Sequence, residues 1–480
     1  MMLTTQNTLE RYRPLLDPTE FAELQAAVQR PLLPAIRINT LKIGVDEARR
    51  MWPEWYGWQV QPIPFCPTGW QIASGGDNLS RTLEYRMGFY YIQDAASMLP
   101  AEMFRFDEPR PLILDMAASP GGKTTHLACR IDDTGLIIAN DTSGGRIGAL
   151  RSNLQDWGMI GMAITNYPGE RLGNWFPDTF DAVLLDAPCS GESLRTAERR
   201  KTRPVSAKER QQLQRRQIQL LTSAFHAVKP SGQVVYATCT LAPEEDEAVL
   251  DALLRLYPRQ AVIEPVDQVL PTPAPGLISD GEHEFDARLH HAARLWPHRY
   301  DTSGFFAALI RKREAVPVEA QTPPARTLAQ AGLERLSQRE ESEIIEQMRQ
   351  AYGFDLHNLI ERQALTLWAR QKSMYAIPEQ FLARFADLPC AAIGMLIGER
   401  SEGFTPSHEF IARFSRRFTS SRLRLSADQI EKWLAGYDLR GAENASYPAG
   451  TVVLMEDDRG RFLGRGKVLR ERIRNMLPKR

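Results

Sequence analysis

The chain has 480 residues, 43% of them hydrophobic, with 59 Lys+Arg against 59 Asp+Glu, which is length enough for several domains that each bury a core. The balanced charge excludes an overall electrostatic pull toward nucleic acid or an anionic membrane, so any such pull must be local. The five cysteines, at 66, 129, 189, 239 and 390, form no CxxC pair and no Cys/His spacing suited to zinc, a pattern that argues against a metal module and for a reducing compartment.

At the N-terminus, MMLTTQNTLERYRPLL lacks a signal-like apolar core, and no later run approaches the ~18 apolar residues of a membrane span. A cytoplasmic protein with no membrane partner is expected. Leu9, Leu15, Phe21, Leu24 and Ala27 are spaced as on a helix, and AIRINTLKI and YGWQVQPIPF suggest short strands. Residues 1–92 are therefore expected to form a small α+β module. Over residues 93–313 the runs PLILDMAA, GLIIAND, AITNY, DAVLLDAP, QVVYATCT and GFFAALI alternate with helical stretches, the pattern of a mostly parallel sheet with helices on both faces. VPVEAQTPPAR, poor in large apolar side chains, marks residues 314–332 as a linker. A helix near Glu334 to Tyr352 opens a mixed connecting module over 333–392, and short strands fill 393–480.

In the central domain, LILDMAASPGGKTTHLA reads as strand, Gly-Gly turn, helix, so the backbone can approach a ligand and a helix N-terminus faces it. The stretch is neither GxxxxGK[ST] nor GxGxxG, which argues against a phosphate-gripping loop. The next strand ends in Asp141, where such folds place a carboxylate that accepts from ribose hydroxyls. A nucleoside without a long phosphate tail is the expected ligand, and S-adenosylmethionine fits. Further on, LLDAPCSGE ends a buried strand at Cys189, a thiol that packing, redox chemistry, metal binding or catalysis could each explain. YATCTLAPEEDEAV ends another strand at Cys239, followed by Glu244 to Glu247, which are suited to a helix N-terminus. Two strands thus deliver two thiols to one sheet edge. Cys66, Cys129 and Cys390 are expected as small buried hydrophobes.

DMAASPGGKT, LLDAPCSGE and YATCTLAPEEDE, with RINTLK at Arg37 to Lys42, GFYYIQDAASML and LWPHRYDTSGFF, resemble the Nop/Sun family of RNA cytosine-C5 methyltransferases over about residues 30 to 313. The tail segments IGMLIGERSEGFTPSHEF and GRGKVLRERIRNMLPK are similar to the bacterial members of F type, which methylate 16S ribosomal RNA and end in a PUA-like domain. The resemblance implies an α/β, Rossmann-like S-adenosylmethionine-dependent methyltransferase domain between an N-terminal α+β RNA-binding module and a C-terminal PUA-like module over 393–480. Cytosine C5 is a poor nucleophile, so a thiolate must add to C6 before C5 can attack a methyl group. Cys239 is expected to make that attack and Cys189, by the resemblance, to promote release. Asp186 is placed for the base edge or the cofactor's amino acid part, or for capping its turn. Lys123 is placed to steady negative charge on the pyrimidine. The cofactor is expected on Ala117, Ala118, Ser119, Pro120, Gly121, Gly122, Lys123, Asp141 and Asp186.

Two departures from the family pattern stand out. ITNYPGER puts Pro168 where relatives carry an Asp for the adenine amino group, with Glu170 as a neighbour able to substitute. The loop SLRTAERRKTRP after CSGE is basic, so Arg199, Arg200, Lys201 and Arg203, with Arg37 and Asn39 of the N-terminal module, are the expected RNA contacts. The tail is basic too, with twice as many Lys and Arg as Asp and Glu after residue 410. A monomer without metal, acting on structured rRNA of the small subunit, is the expectation. The alternatives are a tRNA methyltransferase, a non-catalytic ribosome-assembly RNA-binding factor, and a thiol redox protein, which would leave the GGKT turn and Asp141 without a purpose.

Overall fold

The computed structural model describes residues 9–195, 205–400, 403–440 and 447–478. Near the N-terminus, strands β1 (Ala35–Ile38), β2 (Gln59–Ile63), β3 (Cys66–Ser74) and β4 (Tyr90–Ile92) form an antiparallel sheet in the order β2-β3-β1-β4. AIRINTLKI is strand only to Ile38, because the Asn39 side chain accepts from the Leu41 N–H at 3.1 Å and turns the chain. Helix α1 (Val45–Tyr56) packs Trp52 against Trp58, Trp70 and Tyr90.

The central sheet is Rossmann-like. Its strands are β5 (Leu112–Asp115), β6 (Leu136–Asn140), β7 (Met162–Thr165), β8 (Phe180–Asp186), β9 (Val228–Thr238), β10 (Ala261–Glu264), β11 (Ala293–Leu295) and β12 (Phe305–Lys312). Strands β7, β6, β5, β8 and β9 run parallel in that spatial order; β12 then pairs antiparallel with β9, and β10 antiparallel with β12. Alternate residues face opposite cores: Ile113, Ile137, Leu184 and Val235 on one side, Leu114, Ile138, Val183 and Tyr236 on the other. Both faces are covered, so the strands read as continuous apolar runs. The chain runs outward from β5 in both directions, which opens a crevice at the carboxyl ends of β5 and β8. Around it lie helices α2 (Gly122–Arg130), α3 (Gly144–Trp157), α4 (Gly169–Trp175), α5 (Ala207–Ala227) and α6 (Glu247–Leu256).

Beyond the linker, β13 (Glu334–Arg335), β14 (Leu365–Arg370), β15 (Ser373–Pro378), β17 (Met395–Arg400) and β18 (Phe404–Pro406) form a five-stranded sheet, and four strands between Arg422 and Asn475 form another. The first of these sheets crosses the boundary expected at residues 392 and 393. The helix expected from Glu334 begins at Gln338, where Ser337 and Glu340 make a reciprocal capping box and Glu334 pairs as strand. Between β15 and β17, strand β16 (Ala392–Ile393) leaves its own unit and pairs antiparallel with β7, extending the central sheet. Two residues carry no readable periodicity, so the sequence gives no sign of it. Among the described residues no helix is long and apolar enough to cross a membrane.

Candidate active site

The parallel strands deliver Asp115, Asn140, Asp186 and Thr238 to one edge. After β5 the chain turns through Ala117, Ala118, Ser119 and Pro120 into Gly121, whose φ of +108° favours glycine. A Cβ at Gly121 would lie 3.1 Å from Leu150 and 3.2 Å from Leu154, so the turn is pressed onto α3. The Asp141 carboxylate accepts from the Ser119 N–H at 3.2 Å and the Ser143 N–H at 2.8 Å, which ties the glycine turn to the end of β6. Pro168 precedes α4 as its capping residue. Glu170, the neighbour expected to stand in for a carboxylate there, is ion-paired with Arg216 at 3.1 Å. The side chain beside Asp141 is instead Asn166, exposed, with its amide donating to the Asp141 carbonyl at 2.6 Å.

Cys189 Sγ and Cys239 Sγ lie 3.2 Å apart as free thiols. Cys239 is closely ringed by protein yet open to solvent, and Cys189 is half-buried beneath the loop that follows β8. Lys123, the second residue of α2, reaches Asp186 at 2.6 Å and lies 5.5 Å from the Phe305 ring centre. Burial pulls the Lys123 ammonium down, but Asp186, Cys239 and Asp115 together outweigh it and hold the cation above its ordinary value. The hydrogen bond from Cys189 lowers the Cys239 thiol; burial and Asp186 oppose this, and the Lys123 charge supports it. Cys189 moves the other way, raised by that same bond, by burial, and by the negative charge of Cys239 and Glu245. Against Asp186, the Cys189 hydrogen bond and the Lys123 cation favour the charged form of Cys239, while Glu245 disfavours that of Cys189, so the negative charge of the pair belongs on Cys239. Asp115, which the sequence did not single out, is pushed up to about 7 by burial and by Asp186, against the Thr124 hydroxyl and Lys123. Thr124 donates to its Oδ2 at 2.6 Å, and its buried Oδ1 has no hydrogen-bond partner among the described residues.

Of the acidic run after Cys239, Asp246 sits at the N-cap and Glu247 in the first turn of α6, and each of the run's acids is also engaged elsewhere. Helix α6 starts only at Glu247, and Asp246 makes no side-chain cap. Glu244 binds Arg11 at 2.7 Å, and Asp246 accepts from Thr238 at 2.6 Å. Glu247 holds the fully buried Arg294, whose Nε donates to it at 2.9 Å. Glu245 accepts from the Ser190 N–H and from Gln217 Nε2, each at 2.9 Å, and so fixes the Cys189 loop against α5. No spacing in the sequence pairs Glu245 with Gln217 or Glu247 with Arg294.

The N-terminal residues expected to touch RNA are turned inward. Arg37 is fully buried and donates to Gly122 O at 3.0 Å, Thr125 Oγ1 at 2.7 Å and Gln93 Oε1 at 3.1 Å. Asn39, also fully buried, donates to Gly88 O and Trp157 O. Both are struts between the N-terminal sheet and helices α2 and α3; residue type alone does not reveal which face a side chain occupies. Arg199, Arg200, Lys201 and Arg203 lie outside the described residues. Among the described residues, Cys66, Glu102 and His126 are grouped closely enough to hold a metal ion. Arg130 already neutralises Glu102 at 2.6 Å, and burial with the nearby Arg37 charge drives His126 down to about 4, so the surroundings oppose a cation.

The sequence matches the 16S rRNA methyltransferase RsmB/F family over residues 106–311 and the N-terminal domain of 16S rRNA methyltransferase RsmF over residues 5–95. Ribosomal RNA small subunit methyltransferase F of Psychromonas ingrahamii is 34% identical over 466 residues, 95% of this chain and 92% of that protein. Its namesake in Vibrio cholerae (strain M66-2) is 32% identical over 470 residues, covering 97% and 94% of the two chains. The crystal structure of a methyltransferase homolog protein from Pyrococcus horikoshii superposes with a TM-score of 0.56 at 31% identity, covering 63% of this chain and 93% of that one.

Proposed function

The chain belongs to the 16S rRNA methyltransferase RsmB/F family, and from that membership we propose that it methylates C5 of a cytosine in 16S rRNA through a covalent bond between Cys239 and C6 of the base. The observation that carries this reading is the thiol pair, 3.2 Å apart at neighbouring strand ends, with Lys123 and Asp186 beside the more acidic sulfur.

The family's methyl donor, S-adenosylmethionine, supplies an electrophilic methyl group when bound. The site suits it: three carboxylates, Asp115, Asp141 and Asp186, converge where a cationic, hydroxyl-bearing nucleoside would sit, and Asp115 offers a buried oxygen with no partner among the described residues. We assign the ribose to Asp141, the glycine turn from Ala117 to Gly122 to the backbone approach, and Asp186 to the amino acid part or the base edge. Attack by the Cys239 thiolate forms the S–C6 bond while the C5=C6 π pair shifts onto C5, N3 and the exocyclic O2 of the base. Lys123, held cationic by Asp186, steadies that negative charge. After C5 has taken the methyl group, its proton passes to solvent, the C–H bond pair re-forms C5=C6 as the S–C6 bond breaks, and Cys239 departs as thiolate. Cys189, kept protonated 3.2 Å away, promotes this release by hydrogen-bonding the departing sulfur. The base must leave its helix to reach the cleft. We assign RNA contacts to the residue 1–92 module, the loop bearing Arg199, Arg200, Lys201 and Arg203, and a PUA-like unit within residues 393–480, on the strength of the basic tail.

A gel tests the scheme. Cys189→Ala, incubated with 16S rRNA and S-adenosylmethionine, should accumulate a protein–RNA adduct that survives denaturing electrophoresis and vanishes in the double variant lacking Cys239. If the adduct forms in Cys239→Ala instead, the two thiols exchange roles; if neither variant is trapped, the covalent scheme fails.

A further inference from the structure

A cavity of about 240 Å³ lies against the outer edge of the central sheet, lined by parts of α3, the linker, β14 and the segment around β16. Its lining contains three arginines, Arg151 of α3, Arg326 of the linker and Arg370 at the end of β14, and no Asp or Glu. None of the three guanidinium groups is ion-paired among the described residues, and all three residues are exposed. Arg151 donates to Ala391 O at 2.8 Å, while Arg370 lies 5.7 Å from the Tyr375 ring centre and 3.5 Å from its hydroxyl. Three segments distant in sequence thus bring like charges to one hollow. With no carboxylate in the lining, the three cations make a local positive patch whose complement is an anion.

The hollow also connects to the catalytic edge. Tyr167, next to Pro168 in the loop after β7, donates its hydroxyl at 2.9 Å to the carbonyl of Pro389, which lines the cavity. One residue earlier, Asn166 touches Asp141. The loop after β7 thus joins the edge of the crevice to the wall of this hollow.

The geometry points to a phosphate-binding site in which Arg151, Arg326 and Arg370 hold the backbone of the substrate rRNA outside the methyl-transfer cleft. Guanidinium groups fork onto phosphate oxygens, and the apolar floor leaves room for the attached ribose. The inference rests on the rRNA reading above and adds the place where the backbone is gripped. It also gives the linker a function, since Arg326 lies in the segment that joins the two halves of the chain.

Binding of a 16S rRNA fragment, measured across a salt series, tests it. The triple variant Arg151→Gln/Arg326→Gln/Arg370→Gln should bind more weakly and reduce the slope of log K against log salt by about two to three, since each neutralised phosphate contributes roughly 0.7 to 0.9. Arg326→Gln alone should reduce it by about one. Arg259→Gln, an equal loss of charge beside β10 at the opposite edge of the sheet, should leave the slope in place. Unchanged slopes in the triple variant overturn the proposal. So does a second result: inorganic phosphate binding to the wild type by calorimetry, with RNA slopes unaltered in the variant, which would assign the hollow to a free anion. Retained S-adenosylmethionine affinity shows that the variant is folded. Methyl transfer to the fragment by the wild type tests the rRNA reading separately from the slope difference.

Discussion

Under the proposed scheme the roles of Cys239 and Cys189 follow from their neighbours and their exposure. If Cys239 supplies only the covalent step, Cys239→Ala abolishes methyl transfer while S-adenosylmethionine binds with near wild-type affinity, a split that calorimetry and tritium transfer measure together. Asp141→Ala should have the opposite profile, weakening S-adenosylmethionine binding by about 1.5–3 kcal/mol for lost hydrogen bonds to a charged acceptor. Asp115 makes a pH prediction. Its folded value of about 7 lies above the roughly 3.9 of an unfolded Asp, so it takes up a proton more readily when folded. Its contribution to stability is fully present below about pH 4 and is lost as pH rises to about 7. Asp115→Asn should therefore flatten the fall in stability of the ligand-free protein over that window, as read by denaturation midpoints. These residues were unequally legible. The glycine turn, Asp141 and the two cysteines stand in unbroken motifs at strand ends, so their chemistry and position are written together. Asp115 lies in the same motif, but its raised affinity for a proton comes from its burial and from Asp186, which the fold brings from another strand. Arg37 carries the charge expected of an RNA contact, and only its burial reveals a strut.

Among the elements, the acidic run from Glu244 to Glu247 holds several parts of the site at once. Glu245→Ala removes the acceptor from the Ser190 N–H in the Cys189 loop and from Gln217 on α5. Turnover should fall roughly tenfold or more, in keeping with about 1–3 kcal/mol for a buried group left unsatisfied. S-adenosylmethionine affinity should hold, and Glu245→Gln, which keeps an acceptor oxygen, should restore much of the rate. A merely structural loss would lower both quantities and ignore the conservative variant. The alternation of strands and helices was readable because buried parallel strands must be apolar on both faces. The ends of elements were less so: Asn39 stops β1 with its side chain, and the helix after Cys239 starts late because its acids are engaged elsewhere.

Over the whole molecule, the two outer units meet. Arg461 of the C-terminal sheet reaches the buried Glu84 at 2.9 Å and Asp457 at 2.6 Å. Arg416 grips Glu47 with both nitrogens at 2.7 Å. Arg461→Ala should destabilise the protein by about 1–3 kcal/mol in urea, because two buried carboxylates lose their cation while partial exposure softens the loss. Restoring Lys at 461 should recover part of it. The Arg461–Glu84 and Arg416–Glu47 pairs join residues 377 and 369 positions apart, so no local pattern announces them; the linker's composition separates the halves without saying how they rejoin.

The pairing of β16 with β7 sets a schedule for the nascent chain. Strand β7 is complete at Thr165, but the strand that covers its edge arrives more than two hundred residues later. At the usual 5–20 residues per second of synthesis, the uncovered edge persists for on the order of ten to fifty seconds. During that interval the first half of the protein is the half most open to association with its neighbours on a polysome. A holdase that binds extended apolar edges should therefore select ribosomes that have passed residue 165 and not yet released residue 393.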